Sequence, residues 1–120
     1  MILSAPKQIA PFFGDSIRAR KRRTFMTIRE KMHGGKLYRT DDALMKEQAA
    51  CLEKLYDYNH TRPSQAEMRT ALLKEMFAEI GEGCYIEPPF HANWAGKFVR
   101  FGKNVYANFN LTLVDDTAIY

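Results

Sequence analysis

The 120-residue sequence holds two cysteines, five prolines, seven glycines and one tryptophan. Cys51 and Cys84 are too few for a disulfide-dense secreted scaffold. With no CxxC they make no zinc ribbon. No apolar run approaches the ~20 residues that a membrane-spanning helix requires. His33, His60 and His91 lack a metal spacing such as HExxH, so no metal site is expected. There is no GxSxG nucleophile motif and no phosphate-binding glycine loop. Gly81–Glu82–Gly83 reads as a helix stop.

What is present is an ordinary globular composition, 46% apolar and 12% aromatic. It fits one small domain or part of a larger one. The net charge of +4 suggests nucleic acid at first sight, but it is unevenly placed. Residues 1–25 carry +5, mostly in the Arg18–Arg23 cluster, and residues 26–120 carry −1. A basic, disordered extension is expected over 1–25, dispensable for folding; the alternative is that it is foreign to the natural protein. Pro6 and Pro11 break its apolar part and the basic cluster follows that part, the reverse of a secretory signal. A cytoplasmic protein with no membrane partner and no nucleic-acid partner is therefore expected.

From Met26 the periodicity is helical. Residues 27–33 predict two turns, with Ile28 and Met32 at i,i+4 and Gly34–Gly35 as the stop. Thr40 or Asp41 predicts the cap of a second helix ending near Asn59. Met45, Ala49, Leu52 and Tyr56 mark its expected core face. Ser64 with Glu67 predicts a capping box. It opens a third helix whose apolar stripe is Leu72, Leu73, Met76, Phe77 and Ile80, stopped by Gly81. Beyond it Pro88–Pro89 excludes helix. From Val99 a period of six emerges: Val99, Val105, Leu111 and Thr117 form one column, and Phe101, Ala107, Leu113 and Ile119 another. Turn-forming sets lie between them. Two such columns predict a hexapeptide solenoid with about one full coil over 103–120. Two antiparallel strands fit the same residues nearly as well.

GKLY (35–38), YNHTRPS (58–64), LLKEMFAEIGEG (72–83), IEPPF (86–90) and VYANFNLTLVDD (105–116) occur in this order in bacterial maltose and galactoside O-acetyltransferases. Residues 26–120 resemble the N-terminal portion of that family, whose own start resembles MTIREKM. The resemblance implies an α+β fold: a helical maltose acetyltransferase domain over 26–82, then the first coils of a left-handed parallel β-helix over 83–120, incomplete. It implies acetyl transfer from acetyl-CoA, as co-substrate, to a sugar hydroxyl by a trimer with sites between subunits. The family's general-base His, in a segment resembling TxxHP, and its CoA-binding coils lie beyond the matched residues. The 120-residue chain by itself is therefore expected to be inactive and to bind no cofactor. The alternative is a truncated, non-enzymatic remnant that at most binds a sugar or a partner chain.

Residue by residue, Asn108 in YANFN resembles the family residue that assists the transition state and contacts the acceptor. Asp116, the second Asp of VDD, resembles an acceptor-binding carboxylate. Asp41, or else Asp42, resembles an Asp after GKLY that faces the acceptor. Asn93 stands where relatives have Ser or Asp. Each also has a plain structural reading: Asn108 as a corner residue tolerant of positive φ, Asp115–Asp116 as an Asx turn, and Asp41 as a helix cap.

Overall fold

A computed structural model describes residues 25–120, and apart from Phe25 the expected N-terminal arm lies outside the described residues. Three helices come first: α1 (Ile28–His33), α2 (Asp42–Asn59) and α3 (Ala66–Met76). Six two-residue strands follow: β1 (Glu79–Ile80), β2 (Tyr85–Ile86), β3 (His91–Ala92), β4 (Arg100–Phe101), β5 (Tyr106–Ala107) and β6 (Thr112–Leu113). Among the described residues no helix is long and apolar enough to cross a membrane.

Each helix starts where a side chain can serve a first-turn N–H, or fails to. Thr27 and Glu30 form a reciprocal capping box on α1. Asp41 caps α2 by accepting from the Leu44 N–H at 2.8 Å. The box expected at Ser64 does not form. Gln65 is the N-cap of α3 and makes no side-chain cap bond. Its Oε1 instead accepts from the Arg62 N–H at 2.7 Å, closing the turn before the helix.

The core face of α2 differs from the expected one. Leu44, Leu55 and Tyr58 are buried, whereas Met45, Leu52 and Tyr56 are 54%, 40% and 60% exposed. Both stripes have helical spacing. The coil beneath the helix selects between them, because Leu55 and Tyr58 share a core with Leu73, Met76, Phe77, Ile86, Phe90 and Val99. Helix α3 also ends earlier than its stripe predicts. Phe77 leaves the helix in an extended conformation, and Glu79–Ile80 pairs with Arg100–Phe101 as parallel strand. The ladder outcompetes a last helical turn, and the first strand precedes the expected boundary after residue 82.

The three sheets each join two parallel strands: β1 with β4, β2 with β5, β3 with β6. This excludes the antiparallel alternative. Partners are 21 residues apart: Glu79 with Arg100, Tyr85 with Tyr106, His91 with Thr112. Val99 also bridges Ile119 in parallel. The hexad column therefore starts at Ile80 and continues through Ile86 and Ala92, before the period evident from Val99. The coil expected from Val99 onward is thus present, stacked on an earlier one over β1–β3. Between His91 and Arg100 the spacing is nine instead of six, so a three-residue insertion bulges from the prism between Ala92 and Val99. Asn104 and Asn110 turn corners at φ 56° and 63°, the left-handed region where Asn is best tolerated.

The helices close the outer edge of the first coil. The Tyr58 hydroxyl donates to the Ile86 carbonyl at 2.5 Å. Asn59 Nδ2 donates to the Phe90 carbonyl, and its Oδ1 accepts from the Phe90 N–H, at 2.9 and 3.0 Å. An open strand edge would present these groups unpaired. Burial pushes the Tyr58 phenol up to about 12, with Tyr85 nearby adding to the shift. Arg69, 5% exposed, binds Thr61 through Nε and Nη2 and the Tyr85 hydroxyl through Nη1. Its buried charge is thus shared among oxygens of the cap and the coil.

Candidate functional site

The inserted segment is held from below by a buried aspartate. Asp115 is fully buried, and its two carboxylate oxygens accept from the backbone N–H groups of Trp94 and Gly96, both at 2.8 Å. Gly96 lies at φ 88°, and a Cβ there would sit 2.6 Å from the Phe77 ring, so only glycine fits. From the side, α2 grips the same loop. Gln48 Nε2 donates to the Asn93 carbonyl at 3.0 Å. Glu47 pairs with both Lys97 of the loop and Arg29 of α1. The hydrogen bond from Lys97, opposed by partial burial and helped by Arg29, holds the Glu47 carboxyl below the usual carboxylate range.

This clamped loop delivers Asn93 to Asp116. Asn93 Nδ2 donates to Asp116 Oδ1 at 3.0 Å, and the Tyr38 hydroxyl donates to Asp116 Oδ2 at 3.1 Å. Three stretches far apart in sequence therefore meet at one carboxylate: the segment before α2, the insertion of the first coil, and the end of the second coil. Burial, then the hydrogen bond and charge of Asp116, push the Tyr38 phenol above its usual range. A carboxylate offers about four acceptor directions, and Tyr38 and Asn93 occupy one on each oxygen. The others remain available for hydroxyl donors.

Of the residues singled out in the sequence, Asp116 and Asn93 are brought together. Asp41 and Asn108 make no hydrogen bond to them. Asp41 is spent on its helix cap. Asn108 is exposed at the corner between β5 and β6, where its Oδ1 accepts from the Phe109 N–H at 2.8 Å. It is not among the positive-φ residues, so left-handed backbone does not explain an Asn there. None of the three histidine rings bonds to Asp116, although the His33 carbonyl accepts from the Thr117 hydroxyl at 2.8 Å. His33 packs edge-on against Phe98, His60 stacks on Tyr56, and His91 Nε2 faces Asn110 Oδ1 at 3.3 Å. Sequence reasoning missed Tyr38, Gln48 and Asp115. For Asp115 the only signal was the acidic doublet itself, and nothing local marked which of its two carboxylates turns inward.

Residues 31–81 match the maltose acetyltransferase hexapeptide capping motif. The chain is 52% identical over 92 residues to a galactoside O-acetyltransferase of Lactococcus lactis, covering 76% of this chain and 44% of that protein. It is 41% identical over 96 residues to the galactoside O-acetyltransferase of Escherichia coli, covering 78% and 46%. Among solved structures it superposes on a galactoside acetyltransferase in complex with coenzyme A with a TM-score of 0.73 at 39% identity, covering 78% of this chain and 47% of that one. A maltose O-acetyltransferase from Clostridium difficile gives a TM-score of 0.73 at 29% identity, covering 78% and 50%. The chain spans about half the length of the curated relatives it matches. Motif, sequence and superposed coils agree, and over the matched residues this chain belongs to the maltose/galactoside O-acetyltransferase family of hexapeptide-repeat acyltransferases.

Proposed function

We propose that this chain supplies the acceptor side of an acetyl-CoA-dependent O-acetyltransferase acting on a sugar hydroxyl. The observation that carries the reading is the Asp116 carboxylate held by Tyr38 and Asn93. A sugar hydroxyl donates to a carboxylate, and a carboxylate fixed on both oxygens orients that hydroxyl at little entropic cost. Asn108, exposed at its corner, is assigned the neighbouring task of donating to the acceptor and to the oxyanion that forms on the acetyl carbonyl. Asp41 is assigned to the helix cap first and to the acceptor only secondarily.

The wider proposal has residues 26–82 as a helical cap and 83–120 as the opening of a left-handed β-helix, in a cytoplasmic trimer with acetyl-CoA as co-substrate. The free Cys51 and Cys84 suit a reducing compartment. No residue of this chain is assigned to CoA. None of His33, His60 and His91 hydrogen-bonds to the Asp116 cluster, so the 120-residue chain assayed alone is expected to bind sugar without transferring acetyl groups. General-base assistance is worth about 10²–10⁴-fold.

The test is a titration of the ¹⁵N-labelled chain with maltose and with methyl β-galactoside. Shifts concentrated at Tyr38, Asn93 and Asp116 support the proposal, and their loss in Asp116→Asn strengthens it. An unperturbed spectrum at tens of millimolar sugar overturns it.

A further inference from the structure

A second feature opens beside the Asp116 cluster. A groove of about 540 Å³ is lined by Ile28, Lys31, Leu37, Tyr38 and Arg39. Tyr38 belongs to both places: it lines the groove, and its hydroxyl donates to Asp116. The groove's charge has one sign. Among the described residues neither Lys31 nor Arg39 has a carboxylate within ion-pair distance, although Arg29 nearby is paired with Glu47. Leu37 is 98% exposed at its rim, and half-buried Ile28 contributes further apolar surface. Two cations without partners around an apolar trough suit an anion carried on a largely apolar or sugar-like body.

We infer that the groove is a specificity subsite for a negatively charged substituent on the acceptor glycoside, read by Lys31 and Arg39 one tyrosine ring away from the hydroxyl-binding Asp116. The inference rests on the reading of Asp116 as the acceptor carboxylate. The order of charges along the site gives the ligand its polarity. A neutral hydroxyl face belongs at Asp116, because an anion there would meet a carboxylate. The anionic group belongs beyond Tyr38, where the charges are positive. Arg39 can hold a carboxylate or a phosphate by a two-pronged pair, and Lys31 adds a point charge. The two groups flank Tyr38 from different elements, Lys31 from α1 and Arg39 from the segment before α2, so a ligand reaching both also ties those elements together.

The experiment compares methyl β-galactoside, methyl β-galacturonide and galactose 6-phosphate by calorimetric or NMR titration at low salt, with inorganic phosphate as a fourth probe. For two partly exposed cations the anionic sugars are expected to bind about 3–10-fold tighter than the neutral one. That preference should shrink as salt is raised and vanish in Lys31→Gln/Arg39→Gln. The relative affinity of galacturonide and phosphate ester tells which anion the subsite prefers, and either order supports the inference. Equal affinity of neutral and charged sugars in the wild type overturns it while leaving the acceptor reading intact. So does a preference that survives in the double variant. Phosphate alone binding as tightly as the phosphate ester shows an anion site unconnected with sugar and also overturns it. If no sugar binds and Asp116→Asn changes nothing, the acceptor reading itself has failed and the subsite falls with it.

Discussion

The two coils repeat the same hexad but are buried differently. In the first coil Ile86 and Phe90 are fully buried and Ala92 is 8% exposed. In the second coil the matching residues, Ala107, Leu111 and Leu113, are only half-buried. The first coil has the helices on one side and the second coil on the other. The described residues give the second coil a neighbour on one side only. A hexad residue is thus not intrinsically core. Two-residue strands have no sheet of their own, and burial depends on what is stacked above and below. The helices act as a terminal coil in another secondary structure, supplying Tyr58 and Asn59 where a strand would supply N–H and C=O groups.

The largest expected effect tests that contrast directly. Phe90→Ala should destabilise the chain by about 3–5 kcal/mol, the usual cost of an aromatic cavity in a closed core. Leu113→Ala, at a half-buried site, should cost about 1–2 kcal/mol, because solvent and neighbours fill part of the space. Urea unfolding of both variants gives the comparison, and equal losses would mean that the two coils are equally closed. Next in size is Asn59→Ala. It leaves the Phe90 N–H and C=O without partners on the covered edge, and a loss of about 1–3 kcal/mol is expected by the same measurement.

The smallest effect concerns pH. The Glu47 carboxyl lies below its ordinary value, through Lys97 and then Arg29. The sign follows from linkage: its stabilisation is present above the unfolded carboxylate value of about 4.3 and is lost as pH falls through the lower folded value. Glu47 is partly exposed, so the effect is modest. The unfolding midpoint of the wild type should fall more steeply with acid than that of Glu47→Gln. Parallel curves would show that this triad does not bind the first coil's loop to the cap.

Much of this arrangement was legible in the sequence. Asp41 and the hexads after Val99 stated their roles through spacing, whereas Thr27, expected inside the first helix, turned out to be its cap. The hexads at Ile80, Ile86 and Ala92 did not, for two reasons. Ile80 completes a helical stripe with Leu73, Met76 and Phe77, and the three-residue insertion shifts the phase before Phe101. The face of α2 was ambiguous because Met45–Leu52–Tyr56 and Leu44–Leu55–Tyr58 both have helical spacing, and only the tertiary partner decides. Asp116 and Asn93 stood out through resemblance to a family, not through any local pattern. Their meeting depends on the inserted loop, on Asp115 beneath it and on Gln48 beside it, contacts between residues 21 to 45 apart in sequence. Tyr38 is joined to Asp116 across 78 residues, a separation no periodicity encodes.

The central claim is that cap and second coil form one acceptor site through the Tyr38–Asp116 bond. A double-mutant cycle on sugar affinity tests it most directly, using Tyr38→Phe, Asp116→Asn and the pair. Asp116→Asn should weaken binding by about tenfold, as expected when a charged hydrogen bond is reduced to a neutral one. Tyr38→Phe should weaken it several-fold in the wild type and hardly at all once Asp116 is replaced, giving a coupling of at least about 0.5 kcal/mol. Additive losses, or unchanged affinity in both single variants, would contradict the account.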